Sequence, residues 1–310
     1  MNTLRESTLD YLAMRRSLGF KLHDAGVGLK NFVTFMEQQH ASYITTSLAL
    51  NWAQKPTLQP TEWARRLSFV RGFARYRSAI DPRTQVPPDG LLPYRPRRAQ
   101  PYLYSDEEIR HLLQAALKLS SAAVVLRPWT YHCLLGLLSV SGLRISEALN
   151  LRMEDIDHNE SVLTIRDTKF GKSRLVPLHK STQQVLTDYL ARRERFLNGR
   201  SASYVFISSR GNRLDGGTVH RTFYTLSRQI GLRGPTASHG PRLHDFRHRF
   251  AVEILLQWYR RGEDVERRLP LLSTYLGHVN PSDTYWYLSL CPELMGLTVK
   301  LLEHHWGDPS

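Results

Sequence analysis

Apolar residues recur at helical spacing through most of the first eighty positions. Leu9, Tyr11, Leu12 and Met14 form a rough stripe, and Leu29, Phe32, Val33 and Met36 a cleaner one. A third helix is expected near 46–54. A fourth is expected near 61–79, where Trp63, Leu67, Val70, Phe73 and Tyr76 keep the period. The pattern stops at DPRTQVPPDGLLPYRPRRAQPYL, residues 81–103. Its repeated prolines remove backbone donors and fix φ, which predicts an extended linker. Periodicity resumes at Ser105, where Ser105 and Glu108 have capping-box spacing. An apolar helix over about 123–140 should stop at Ser141-Gly142. Residues 161–166 (SVLTIR) and 174–178 (RLVPL) read as two strands around the turn Lys169-Phe170-Gly171-Lys172. YVFI at 204–207 reads as a further short strand. Helices are expected at 181–196, 216–229, 244–259, 269–276, 281–290 and 293–303. The fold class is therefore mainly α with a small antiparallel β-sheet. It comprises a helical domain over 1–80, a linker over 81–103 and a second domain over 104–310.

Charge gives this architecture a direction. The chain of 310 residues carries 42 Lys and Arg against 28 Asp and Glu, a net charge of +14. The surplus is spread along the chain: residues 1–103 hold 15 basic and 7 acidic side chains. Both parts are thus expected to face a polyanion, with nucleic acid the first candidate and an anionic membrane the second. A basic protein without such a partner is the remaining alternative. The fourth helix carries Arg65, Arg66, Arg71, Arg75 and Arg77, which suit contact with phosphates or a solvated basic face. Arg95, Arg97 and Arg98 put a second basic group in the linker. Cys133 and Cys291 have neither disulfide-framework nor metal spacing. No run of 18 apolar residues and no apolar leader core occurs, so neither a signal peptide nor a membrane span is expected, and the isolated cysteines fit a reducing, cytoplasmic setting.

Four segments carry candidate chemistry. In Ser141-Gly142-Leu143-Arg144-Ile145-Ser146-Glu147, an arginine at the start of a helix can offer a fork of donors to a phosphate, or be a plain surface residue at a corner. Lys169 or Lys172, on the hairpin turn, could protonate a leaving oxygen or be solvated. In His244-Asp245-Phe246-Arg247-His248, helical spacing projects His244, Arg247 and His248 together. His244 and His248 also have the spacing of a zinc helix, but the HExxH glutamate is missing and Arg247 would repel a cation. Finally, Leu276-Gly277-His278 precedes a helix starting at Asn280-Pro281, on which Tyr285 and Tyr287 point to different faces.

The order of these segments, and their local sequences, resemble the tyrosine recombinase (phage integrase) family. SGLRISEAL is similar to its first arginine motif, TKFGKSRLVPL to its lysine hairpin and LHDFRHRFA to its His-x-x-Arg box. LGH with Tyr287 nine residues later is similar to its last histidine and nucleophile. The resemblance spans about residues 104–295 by motif; residues 1–80 match in general character, as a helical core-binding domain. It implies a site-specific recombinase cutting and rejoining DNA through a 3′-phosphotyrosine. Arg144 and Arg247 would clamp the scissile phosphate, and His244 and His278 would hydrogen-bond the phosphate or the nucleophile. Lys169, with Lys172 as its competitor, would protonate the leaving oxygen, and Tyr287 would attack phosphorus. Glu147 would steady the cluster. Neither metal nor other cofactor is called for. The partners implied are double-stranded DNA and a tetramer on synapsed sites, of this chain alone or of this chain with related recombinases, with the final helix docking on a neighbour. A type IB topoisomerase and an inactive DNA-binding relative are the alternatives.

Overall fold

In the computed structural model the chain divides into two units, Met1–Ala99 and Gln100–Ser310. The structure describes residues 3–55, 59–93, 100–119, 126–166, 173–278, 280, 282–289, 293, 294, 296 and 299. No helix among the described residues is long and apolar enough to cross a membrane.

The first unit is built from α1 (Leu4–Ser17), α2 (His23–Gln38), α3 (Thr46–Gln54) and α4 (Pro60–Ser78). Leu29, Phe32, Val33 and Met36 of α2 are buried against Leu67, Val70 and Phe73 of α4, with Trp52 of α3 edge-on to Phe32 at 5.2 Å. The stripe expected on α1 is half displaced. Tyr11 and Leu12 are buried, but Leu9 and Met14 are 53% and 39% exposed. The inward face instead includes Ser7 and Thr8. Their hydroxyls are satisfied there: Ser7 accepts from the buried Arg77 at 2.7 Å and Thr8 donates to Leu4 O at 2.8 Å. A hydrogen-bonded hydroxyl is cheap to bury, so polarity did not mark the outer face.

In the second unit, Ser105 and Glu108 form the expected capping box at the start of α5 (Asp106–Leu117). α6 (Arg127–Ser141) follows, then α7 (Ile145–Asn150) and a three-stranded antiparallel sheet in the order β1–β2–β3. β1 (Ile156–Asp157) had no sequence signal beyond its two residues. β2 (Val162–Ile165) and β3 (Arg174–Pro177) pair with Ile165 opposite Arg174 and Leu163 opposite Val176. α8 (Lys180–Leu197), α9 (Gly216–Gln229), α10 (Asp245–Arg260) and α11 (Val265–Leu276) complete the core.

Three expectations are corrected. YVFI at 204–207 is not a strand: Tyr204 and Ile207 make isolated bridges to Arg152 and Arg213. Its apolar run reflects burial, since Val205, Phe206 and Ile207 all lie in the core. The helix expected from 269 begins at Val265, because Asp264 caps it by accepting from Arg267 N, and Pro270 lies inside it. The helix expected over 281–290 is a single α turn, α12 (Ser282–Tyr285), that tightens into a 3₁₀ turn at Trp286–Ser289. Of the helix expected over 293–303, only 293, 294, 296 and 299 are described.

Candidate active site

α6 ends where Gly142 takes φ +61, a conformation that costs side-chain-bearing residues strain. A Cβ added there would stand 2.5 Å from Phe250 Cδ1. The turn so made presents Gly142 O, which accepts from Arg247 Nη1 at 2.8 Å. Two residues on, Arg144 occupies the extended position before α7. Its backbone N donates to Glu147 Oε2 at 2.9 Å, its Nη1 to Glu147 Oε1 at 2.7 Å and its Nη2 to Gly277 O at 3.1 Å.

Arg247 sits in the first turn of α10 and is only 1% exposed. Besides Gly142 O, it donates through Nη2 to Leu276 O. Burial, and then the charge of Arg144, lowers its pKa to about 10, so it stays a cation at neutral pH. The base of α10 is held rigidly. Asp245, 1% exposed, accepts from Arg242 N and from its guanidinium, and Tyr104 stacks on Phe246 at 4.5 Å.

α11 stops at Gly277, which takes φ +66. Three consecutive residues at this stop then serve the site. Leu276 O accepts from Arg247, Gly277 O accepts from Arg144, and the His278 ring stacks on Tyr287 with centroids 6.0 Å apart and planes at 18°. His278 Nδ1 shares a hydrogen bond of 2.7 Å with Thr284 Oγ1. Burial, followed by the charges of Arg247 and Arg144, lowers the His278 pKa to about 4. His244, directly before α10, is also lowered to about 4 by loss of hydration and then by Arg247, although its ring keeps contact with solvent. Both imidazoles are therefore neutral at pH 7, free to donate from one nitrogen and accept at the other.

The two candidate tyrosines separate cleanly. Tyr287, on the 3₁₀ turn, is 2% exposed, whereas Tyr285 is 51% exposed. Tyr287 packs on His278, on His248 at 5.6 Å and on Trp286 at 5.7 Å. His248 also meets His244 edge-on at 4.7 Å. Among the described residues no group of three or more His, Cys, Asp and Glu side chains is arranged to hold a metal ion.

Sequence reasoning missed Arg174. Its Nη1 donates to Glu147 Oε1 at 3.1 Å and its Nη2 to Glu147 Oε2 at 2.8 Å. Its signal was the strand period, which puts Arg174 on the same inward face as Val176 and turns Leu175 out at 63% exposure. Burial alone would raise the Glu147 carboxyl. The hydrogen bonds and charge of Arg174, and then the bonds of Arg144, overcome this and bring it down to about 2. Among the described residues, Arg144 and Arg174 thus share one buried carboxylate, whose charge also reaches Arg247. The surplus positive charge suits a bound anion with tetrahedral oxygens.

The basic residues of α4 are placed unevenly. Arg65 pairs with Glu62 at 2.6 Å and Asp24 at 2.9 Å. The Arg66 guanidinium lies 3.9 Å over the Trp52 ring and donates to Trp52 O. Arg71 is only 15% exposed and donates to Pro87 O at 2.8 Å, to Pro88 O at 2.7 Å and to Asp89. Its guanidinium therefore secures the segment after α4. Arg75 is 64% exposed, with Asp89 at 3.7 Å. Arg95, Arg97, Arg98, Lys169 and Lys172 lie outside the described residues.

Comparison with known proteins places this geometry among relatives. The model of the phage integrase family matches residues 103–293. A Sinorhizobium fredii protein named as an integrase/recombinase, y4rB, is 59% identical over 99% of this chain and 99% of its own. The tyrosine recombinase XerD of Mycobacterium tuberculosis is 31% identical over 72% of this chain and 68% of its own. Among solved structures, the Tn1549 transposon integrase in complex with transposon right end DNA superposes with a TM-score of 0.64 at 16% identity, covering 99% of this chain and 100% of that one.

Proposed function

The chain belongs to the phage integrase family, and on that premise we propose that it is a site-specific DNA recombinase whose nucleophile is Tyr287. The observation that carries this reading is the placement of Tyr287. It is buried against His278 and within electrostatic reach of Arg247, while its neighbour Tyr285 faces solvent. A phenol ordinarily loses its proton near pH 10 and is a weak nucleophile at neutrality. Guanidiniums gathered around the bound phosphate favour the phenolate and the charge that builds on phosphorus in flight.

In this mechanism the scissile phosphate sits between Arg144 and Arg247, whose guanidiniums bind its non-bridging oxygens. His244 and His278 orient the phosphate and the phenol by hydrogen bonds. The Tyr287 phenol gives its proton to a neutral imidazole nitrogen, its oxygen bonds to phosphorus and the bond to the 5′ oxygen breaks. That oxygen takes up a proton from Lys169, and a 3′-phosphotyrosine remains. Attack by a 5′ hydroxyl reverses each step. One phosphodiester is exchanged for another of similar energy, so no nucleotide cofactor is required.

The remaining parts follow from this chemistry. Residues 1–80 bind the DNA duplex through exposed cations such as Arg75, and Arg95, Arg97 and Arg98 contact the backbone from the linker. Exchange between two duplexes cuts four strands, which calls for four protomers, with the C-terminal segment reaching a neighbour. The test is strand exchange between two labelled duplexes carrying the DNA that flanks the gene, in chelator and without ATP. Joined products support the reading. Supercoil relaxation without exchange would point to a topoisomerase instead.

A further inference from the structure

We propose that Arg174 is a positioning residue of the active site, holding Glu147 so that Arg144 is fixed in place and its charge is left for the phosphate. The inference rests on the recombinase reading and gives a role to a residue that lies within the lysine-hairpin segment but was not singled out there.

The Glu147 carboxylate accepts four hydrogen bonds, and each oxygen takes one from each arginine. Oε1 receives Arg144 Nη1 and Arg174 Nη1; Oε2 receives Arg144 N and Arg174 Nη2. Arg174 and Glu147 side chains are 9% and 6% exposed, whereas Arg144 is 24% exposed. The buried arginine thus grips the carboxylate in a fork, and the more exposed one shares it. Without Arg174, one carboxylate would neutralise one Arg144, and the pair could close on itself. With Arg174 present, two guanidiniums share that single negative charge and Arg144 keeps an unsatisfied attraction for an anion.

The same contact has a mechanical side. Arg174 opens β3, and the chain between β2 and β3 contains Lys169. The Arg174–Glu147 pair therefore ties β3, which follows Lys169 in the chain, to the helix start that carries Arg144. Gly277 shows how closely this is built. A Cβ there would lie 3.1 Å from Arg174 Nη1 and 3.7 Å from Arg144 Nη1. Both guanidiniums approach the backbone that leads to His278.

The experiment uses the full chain and nicked duplexes tiled across the DNA flanking its gene, with single-turnover formation of the denaturation-stable protein–DNA adduct as the readout. Arg174→Ala is expected to slow adduct formation by about 10- to 100-fold, as loss of two charge-assisted hydrogen bonds implies. Arg174→Lys, which keeps the charge but not the fork, should recover part of the rate. In a Glu147→Gln background the Arg174→Ala penalty should fall to within about threefold, because the residue acts through that carboxylate. An equal penalty in both backgrounds overturns the proposal, as does an Arg174→Ala rate equal to that of the unsubstituted protein. If Arg174→Ala melts below the assay temperature, Arg174→Lys decides: a rate unchanged from the unsubstituted protein overturns the proposal. No adduct from the unsubstituted protein on any duplex would overturn the recombinase reading first and this inference with it.

Discussion

Replacing Glu147 by Gln should cost far more stability than a single surface substitution. The carboxylate is 6% exposed and satisfied by four donors from two arginines. The amide keeps the shape, but it turns an NH₂ toward guanidiniums and leaves two partly buried cations without a counter-charge. The magnitude follows from linkage. The Glu147 pKa falls from 4.5 to about 2 on folding. Each unit is worth 1.36 kcal/mol, so ionised Glu147 contributes about 3 kcal/mol. The sign follows from the depressed pKa. The contribution is complete above pH 4.5 and is lost as pH falls toward 2, with about 2 kcal/mol gone by pH 3. For a unit of this size, about 3 kcal/mol corresponds to a melting point lower by roughly 6–12 °C. Calorimetry of the full chain and of Glu147→Gln, at pH 7 and in steps down to pH 3, measures both numbers. The gap should be widest at pH 7 and narrow on acidification. A gap under about 0.5 kcal/mol at pH 7, the range of ordinary surface substitutions, would show that the carboxylate contributes no such stability, as would a gap that widens in acid.

Other substitutions test other parts of the site. Gly142→Ala combines left-handed strain with a 2.5 Å approach to Phe250 and should cost at least about 2 kcal/mol in denaturant unfolding. The His278 ring should titrate near pH 4 by NMR in the DNA-free protein. Because that value lies below the ordinary 6.5, the linked stability is complete above pH 6.5 and declines as pH falls toward 4; His278→Asn should flatten that part of the profile. Arg75→Ala should weaken DNA binding uniformly across sequences and reduce the salt slope by about one, as measured by titration at several ionic strengths. Arg71→Ala should instead lower the melting point with little change in that slope, because its donors are spent on Pro87, Pro88 and Asp89.

Much of the fold was legible because helices with an apolar face announce their period. α2 and α4 lie where their stripes put them, α9 spans the expected 216–229, and Ser105 marks the start of α5. The sequence was less clear where tertiary contacts decide. Ser7 and Thr8 face inward because Arg77 and a carbonyl satisfy them, so the α1 stripe could not be read from apolar residues alone. The turn at Trp286–Ser289 tightens to 3₁₀, a change no side-chain pattern announces. At the site, the motifs brought Arg144, Arg247, His278 and Tyr287 to attention, and folding gathers them around the Leu276–His278 turn. What the motifs could not convey is that backbone carbonyls do the holding: Gly142 O and Leu276 O for Arg247, Gly277 O for Arg144. Arg174 escaped for a related reason. A basic residue opening a strand reads as solvated until the register with Ile165 shows which face it occupies.

The most direct test of the account is the identity of the residue bound to DNA. The full chain is incubated with nicked duplexes tiled across the DNA flanking its gene, then denatured, and the covalent adduct is mapped by digestion and mass spectrometry. The expected result is a phosphate bridge on Tyr287, an adduct abolished by Tyr287→Phe and an adduct retained by Tyr285→Phe. An adduct that survives Tyr287→Phe, or that disappears with Tyr285→Phe alone, would contradict it.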